Sequence, residues 1–431
     1  MSAEGDRLLN GDTIHRDRLP LVREPSLSCW STYKHLFVLS GWIFTVSISN
    51  MVRPYLVGLK KDFFSHSDSD AALVQGIITC CVGLVVILVS GMYGGVMDDT
   101  GRKPFFIVSS AANVVQISAV VAFPHTIIIY MVLSGLASIL QTSFVTASAA
   151  DVYGRDARVR ILAALSAIGS LSSLVVLLAT MINERLCAYI GLGGAVSSVI
   201  YSFVCVPETL AKRKPATMAG KANEADRVRL NPCVVLLTLM KSKCFAACVA
   251  INCCFQFALS GINTILFFYL NQKSDFGSND FAYLQVEMSL TEPICVLVVL
   301  PLLQRFLSNV KIVALSLLML LLQLVLIPTV NASKWPVFAL VVPMGSLASV
   351  GGPILLAMLQ NDSDEGEHSD QGRRMSVVQA TAAVASAIGP LLLGVMFAAL
   401  PSTLAYLPFL VCAVVVVPFF VLSTQLHRWT K

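Results

Sequence analysis

Charge is scarce in this chain. Only 13% of its 431 residues are Asp, Glu, Lys or Arg, against about 25% in soluble domains. That shortage excludes a fully solvated globular surface, and with 56% hydrophobic residues it marks an integral membrane protein. Histidine is rare too, six in all, and these are expected in loops or tails. There is no Ser/His/Asp set, no metal-ligand cluster and no phosphate-cradling glycine loop, so neither an enzyme nor a metal or cofactor site is expected. Gly191-x-Gly193-Gly194 lies inside an apolar run and reads as helix-packing glycine. Residues 1–30 lack an apolar core, which speaks against a cleavable signal peptide. The twelve cysteines, Cys80, Cys81, Cys253 and Cys254 among them, lie mostly in apolar runs with no histidine cluster and read as small packing residues.

What the chain has is long apolar runs, each near the ~20 residues that cross a bilayer. Twelve spans are expected, at 35–57, 73–97, 104–123, 127–150, 161–181, 186–205, 244–270, 283–303, 311–329, 335–357, 376–398 and 402–424. With the N-terminus in the cytosol, 24 Lys and Arg fall on the cytosolic side and 6 on the other. The positive-inside rule therefore places both termini in the cytosol. The implied organisation is a cytosolic tail (1–34), a six-helix bundle (35–205), a basic linker (206–243), a second six-helix bundle (244–424) and a short cytosolic tail (425–431). The linker is a topology determinant, and nucleic acid is not an expected partner. Asn331-Ala332-Ser333 is a glycosylation sequon so close to the membrane that it is expected to stay unmodified.

Between the second and third spans the chain reads Gly94-Gly-Val-Met-Asp98-Asp-Thr-Gly101-Arg102-Lys103. Gly94 lets two helices approach closely, and Gly101 permits the tight reversal that returns Arg102 toward Asp98. The pattern Gly-x-x-x-Asp-x-x-Gly-Arg-Lys, set between membrane spans, resembles the signature loop of the major facilitator superfamily of secondary transporters. The resemblance covers about residues 35–424. It implies an all-α membrane protein of twelve transmembrane helices in two pseudo-symmetric six-helix bundles, working by alternating access. It also implies a cytosolic gate network of Gly94, Asp98, Gly101, Arg102, Asp151, Arg158 and Glu208. Within it, Asp98 would cap the eleventh helix, Arg102 would reach Asp151, and Glu208 would pair with an arginine of the 155–160 turn. Two departures stand out. Asp99 occupies a place where the family carries Arg or Lys, and the second-half counterpart from Leu303 onward has lost the pattern.

An internal repeat supports the two-bundle reading. Ser-Ala-Ile-Gly occurs at 166–169 and at 386–389, in the fifth and eleventh spans, equivalent places in a six-plus-six duplication. Repeats of this kind put the substrate site at mid-membrane between the halves. Polar stripes follow helical spacing in the first span (Trp42, Thr45, Ser49, Arg53), the fourth (Ser134, Ser138, Gln141, Ser148) and the seventh (Asn252, Gln256, Ser260, Asn263). The tenth is rich in small residues, Gly345 to Gly352. Spans 1, 4, 7 and 10 line the cavity in the superfamily and 3, 6, 9 and 12 face outward, so Thr45, Ser49, Arg53, Ser138, Gln141, Asn252, Gln256 and Asn263 are the expected cavity residues.

Ionisable groups inside a bilayer are costly and each needs a reason. Glu292, near the middle of the eighth span, is the candidate proton-coupling carboxyl, with Glu287 beside it. Arg53 has three readings: a gate pair with Glu287, a contact for an anionic substrate, or snorkelling to the headgroups. Ala150-Asp151-Val152, Val206-Pro-Glu-Thr-Leu210 and Ile388-Gly-Pro-Leu391 are similar to two branches of the superfamily. One is the proton-coupled folate transporters (solute carrier 46), the other the tetracycline antiporters and hippocampus-abundant-transcript proteins. The expected function is proton-coupled symport of a small organic, anionic solute. The alternatives are an antiporter exporting amphipathic compounds, which Gly389-Pro390 favours, and a non-transporting receptor, which Asp99 favours. Glu4 with Leu8 and Leu9 forms an acidic dileucine pattern of the kind sorting adaptors read, pointing to an endolysosomal or vacuolar membrane, with the plasma membrane as the alternative.

Overall fold

A computed structural model describes residues 29–52, 68–179, 184–209, 242–274, 278–330, 334–361 and 371–426, with Met240 and Phe276 as isolated positions. Arg53, the 331–333 sequon, the dileucine segment and most of the 206–243 linker lie outside the described residues. Within them the backbone is helical, with short turns and no strand. Lipid offers no hydrogen bonds, so each span must satisfy its own backbone, and a helix does this residue by residue. Eight helical segments, from Lys103–Ala122 to Leu407–Leu426, meet the length and apolarity a bilayer crossing needs.

The first half contains α1 (Cys29–Ser49), α2 (Asp68–Thr100), α3 (Lys103–Ala122), α4 (Ile127–Val152), α5 (Arg155–Ala179) and α6 (Glu184–Val204). The second contains α7 (Lys243–Ser274), α8 (Ser278–Ile294), α9 (Leu300–Phe306), α10 (Asn309–Leu326), α11 (Val342–Ser349), α12 (Gly351–Asn361), α13 (Gln371–Ala399) and α14 (Leu407–Leu426). The pair α8–α9 forms the expected eighth span and α11–α12 the tenth. The described helix ends lie within six residues of the expected limits, and beyond the tight turn at Asn50–Val52 the expected end of the first span lies outside the described residues. Turns between spans are short: Gly101 and Arg102 alone separate α2 from α3, and Pro104 opens α3 where its missing N–H costs nothing.

Both composite spans contain a π turn: Cys295–Val299 joins α8 to α9, and Val337–Val341 leads into α11. Each π turn is followed by one residue and then a proline, Leu300-Pro301 and Val342-Pro343. The Leu300 N–H donates to the Cys295 carbonyl and the Val342 N–H to the Val337 carbonyl. Widening the turn just before a proline relieves the clash of its ring with the preceding turn and keeps the backbone bonded.

The halves meet along two equivalent seams. In one, α2 of the first half runs against α13 of the second; in the other, α5 runs against α8 and α12. At the first seam small residues bring the helices close, with Gly83 facing Ala387 and the backbone of Ala383. The Ser-Ala-Ile-Gly repeat is matched in space. Gly169 of α5 faces Ile43 of α1, and Gly389 of α13 faces Phe257 and Gly261 of α7, the same neighbour in each half. Large apolar side chains point outward, among them Val108, Val204, Leu302, Phe306 and Val414, as a bilayer-facing surface requires.

Candidate functional site

The helix ends that carry the signature loop form a basic face. Here α2 stops at Thr100 because Gly101 takes φ +100°, a left-handed turn that side chains with a Cβ adopt only under strain. A Cβ at Gly101 would also strike the Glu208 carboxylate. That carboxylate accepts the backbone N–H groups of Arg102 (2.8 Å) and Lys103 (3.1 Å), so it caps the start of α3, where the helix dipole favours an anion.

The Arg102 side chain is fully buried. Its Nη1 donates to Asp98 Oδ1 at 2.8 Å, its Nε to Asp151 Oδ2 at 2.9 Å and its Nη2 to Asp151 Oδ1 at 3.4 Å. This fork across two carboxylates is the geometry that guanidinium groups bond best. Burial pulls against the charge on Arg102, yet its bonds and attraction to Asp151 and Asp98 outweigh that and hold its pKa above the ordinary arginine value. Thr209 donates to Asp151 as well, at 3.3 Å, and Lys103 Nζ reaches the Phe203 carbonyl at 2.8 Å. The ends of α2, α4 and α6 are thereby fastened to one another.

A second arginine carries the fastening across to the other half. Arg158, one turn into α5, donates to the Ala150 and Tyr153 carbonyls at 3.0 Å each, closing the C-terminal end of α4. Its Nη1 donates to the Gln360 carbonyl of α12 at 3.3 Å, and Gln360 Nε2 donates back to the Thr146 carbonyl of α4 at 3.0 Å. Both side chains are buried. The basic face is therefore shut by polar contacts between the halves.

Deeper in the bundle, Glu292 of α8 lies close to Ser170 on α5 and Ser349 on α11, whose hydroxyls donate to the Ser166 and Ser346 carbonyls at 3.3 and 2.8 Å. It thus faces the first half. One residue earlier, Thr291 shares a 2.7 Å hydrogen bond with Ser346 and donates to the Glu287 carbonyl at 2.8 Å. Glu287 keeps one carboxyl oxygen buried with no partner among the described residues.

The other expected cavity residues have varied placements. Thr45 and Ser49 turn their hydroxyls back to the carbonyls of Trp42 and Val46, and Ser49 is buried where Gly191 of α6 packs on its backbone. Trp42, from the same stripe, is buried between Phe106 and Phe144 and donates to Ser110 and Ser202 at 3.2 and 2.9 Å. Gln141 donates to Ser109 at 2.9 Å. Asn252 is buried, Gln256 half-buried and Asn263 exposed on α7. Ser138 sits on α4 but its side chain, like all of Arg53, lies outside the described residues. Gly94 is buried in the last turns of α2.

Several polar groups escape the sequence reading. The third span buries Ser109, Ser110, Asn113 and Gln116, although the family pattern turns that span outward; their spacing on one face of α3 is the signal available. Gln360, Ser170, Ser346 and Ser349 carry no charge or motif to mark them. His35 corrects the placement of all six histidines in loops or tails. It belongs to α1, half-buried near Asp151, with Nε2 lacking a partner among the described residues.

Two helical halves, a charge lock at one face and polar groups facing one another across the seam define a membrane transporter, not an enzyme. The family model of the Major Facilitator Superfamily matches residues 36–369, and the chain belongs to that superfamily. No curated protein sequence matches it. Solved structures share its fold at low identity. The human organic anion transporter MFSD10 (TETRAN) is 19% identical with a TM-score of 0.75, covering 91% of this chain and 99% of its own. The Major Facilitator Superfamily transporter FucP, in its outward conformation, is 10% identical with a TM-score of 0.67, covering 91% and 98%. The nucleoside transporter NupG is 12% identical with a TM-score of 0.61, covering 92% and 99%.

Proposed function

We propose that the protein is a proton-coupled symporter of a small organic anion, with Glu292 as the coupling group. The observation that carries this reading is the position of Glu292 at the seam, close to Ser170 of one half and Ser349 of the other. An ionised carboxyl only accepts hydrogen bonds, so it can draw both hydroxyls away from the Ser166 and Ser346 carbonyls they now bond; a protonated one must place its own O–H. Taking up a proton therefore changes the bonding between the halves at the seam where alternating access requires movement. An ionised carboxyl at this depth is costly without its partners, which ties its protonation to their presence.

The anionic substrate class draws support from the organic anion transported by MFSD10, and Arg53 remains the proposed anion contact or gate. The charge bias puts the basic face, with both termini, in the cytosol, which makes the closed side the cytosolic one and the resting state outward-facing. The solute carrier 46 branch fits this reading better than the antiporters. Gly389, the antiporter-like feature, has a packing role that accounts for it, since any side chain there would strike the Phe257 carbonyl of α7. The dileucine pattern at Glu4, Leu8 and Leu9 supports an endolysosomal address through sorting adaptors.

Uptake of organic anions into proteoliposomes with and without an imposed pH gradient tests the proposal. The wild type should accumulate substrate when the proton gradient points in the direction of uptake. Glu292→Gln should lose that stimulation and keep substrate exchange at equilibrium. A full gradient response in Glu292→Gln would sink the role of Glu292, and stimulation only by the opposite gradient would establish the antiporter.

A further inference from the structure

At the basic face, the seam between α5 and the α8–α9 span opens into a cleft of about 380 Å³ lined by Arg160, Pro301, Gln304 and Arg305. The volume lies within the ~300–1,000 Å³ typical of ligand sites. Arg160 belongs to the first half and Arg305 to the second, both exposed. Among the described residues neither guanidinium is paired with a carboxylate; the ion pairs there are those of Arg102 and of Lys334 with Asp280. Two like charges lining one cleft repel each other, and an anion between them turns that repulsion into two attractions. Gln304 adds a polar side chain, with its amide nitrogen already directed to Asn309 at 3.2 Å.

The wall beside the two arginines is apolar and open. Leu302 is 51% exposed and Phe306 77% exposed, and both stand three or fewer residues from Arg305 on α9. A soluble anion has no use for such a wall. A phospholipid uses both parts, its phosphate on the guanidinium groups, which bind phosphate through paired N–H donors, and its acyl chain along Leu302 and Phe306. Arg305 lies one residue from the end of α9, the depth at which headgroups meet a span.

From this arrangement we infer that the Arg160–Arg305 cleft binds the phosphate headgroup of an anionic membrane phospholipid, which bridges the two halves and holds the basic face shut. The site is separate from the Arg102 lock, because the lock's arginine is spent on Asp98 and Asp151 while these two arginines are open to the membrane surface.

The full chain, reconstituted in phosphatidylcholine nanodiscs with or without phosphatidylglycerol, provides the test. The wild type should retain one phosphatidylglycerol through delipidation, counted by native mass spectrometry, and should unfold at a higher temperature when that lipid is present. Arg160→Gln/Arg305→Gln should lose both the retained lipid and the thermal shift, and Arg160→Lys/Arg305→Lys should keep part of each. If the double glutamine variant fails to fold, Arg305→Gln alone, at an exposed position, makes the same comparison. Equal retention by wild type and glutamine variant overturns the site. Equal stabilisation by inorganic phosphate in phosphatidylcholine alone overturns the lipid and assigns the cleft to a soluble anion.

Discussion

The two halves carry the same turn in different chemistry. In the first, α2 ends at Thr100 and α3 starts at Lys103; in the second, α9 ends at Phe306 and α10 starts at Asn309. Aligned on those helix ends, Gln304 stands where Asp98 does, Arg305 where Asp99 does, Leu307 where Gly101 does and Ser308 where Arg102 does. Gly101 reverses the chain with φ +100°, whereas Leu307 does it in an extended conformation at φ −123°. The first turn is held by charge, the buried Arg102 bonding Asp98 and Asp151 through its side chain and the exposed Glu208 through its backbone N–H. Among the described residues the second keeps an amide pair as its side-chain bond, Gln304 to Asn309. Equal turns thus do not need equal locks. At this face one turn is fastened through ion pairs, and the other leaves Arg305 in the cleft with Arg160, unpaired among the described residues.

Removing the centre of the lock should do the most damage. Arg102→Ala leaves Asp98 and Asp151 buried without their shared cation, and breaking a buried pair in this way costs about 3–5 kcal/mol. A large fall in the thermal midpoint of the purified protein is expected, together with loss of uptake. A midpoint near that of the wild type would mean the lock adds little. Next comes Gly101→Ala. The left-handed turn costs a residue with a Cβ roughly 1–3 kcal/mol, and the Glu208 carboxylate must move as well, whereas Leu307→Ala meets no such conformational demand. If both alanine variants lose the same stability, the contrast between the turns fails. The smallest effect should come from transplanting the pair, Gln304→Asp/Ser308→Arg. An exposed i,i+4 ion pair is worth about 0.3–0.5 kcal/mol, so the midpoint should rise slightly, and less at high salt. A gain as large as the Arg102→Ala loss would show that sequence alone, without burial, makes the lock.

How far these features can be read from sequence depends on how local they are. Asp98, Gly101 and Arg102 lie within five residues, so their spacing alone announces the turn and the i,i+4 pair. The Arg102–Asp151 bond is legible through the family resemblance. The Arg158–Gln360 contact joins residues 202 positions apart, and an amide at the end of an apolar run carries no signal of its own. Polar stripes are ambiguous for a different reason. Trp42, Ser110 and Ser202 satisfy one another across three helices, and in a bilayer such mutual bonding gives the same periodicity as a wet cavity wall. The apolar runs predict the helical spans well because a bilayer imposes their length. The prolines at 301 and 343 are visible in the sequence, but their effect on the turn before them depends on which backbone bond yields.

Those π turns change how the eighth and tenth spans must be drawn. An ideal helix advances about 100° per residue, and a π turn inserts one residue into that count. A helical wheel carried unbroken through Cys295–Val299 therefore slips phase by about 100°, and everything beyond it, Gln304 and Arg305 included, is assigned to the wrong side. The eighth span is better treated as two rotors on one axle. The upper one turns Glu292 toward the other half, and the lower one sets Arg305 in the cleft it shares with Arg160.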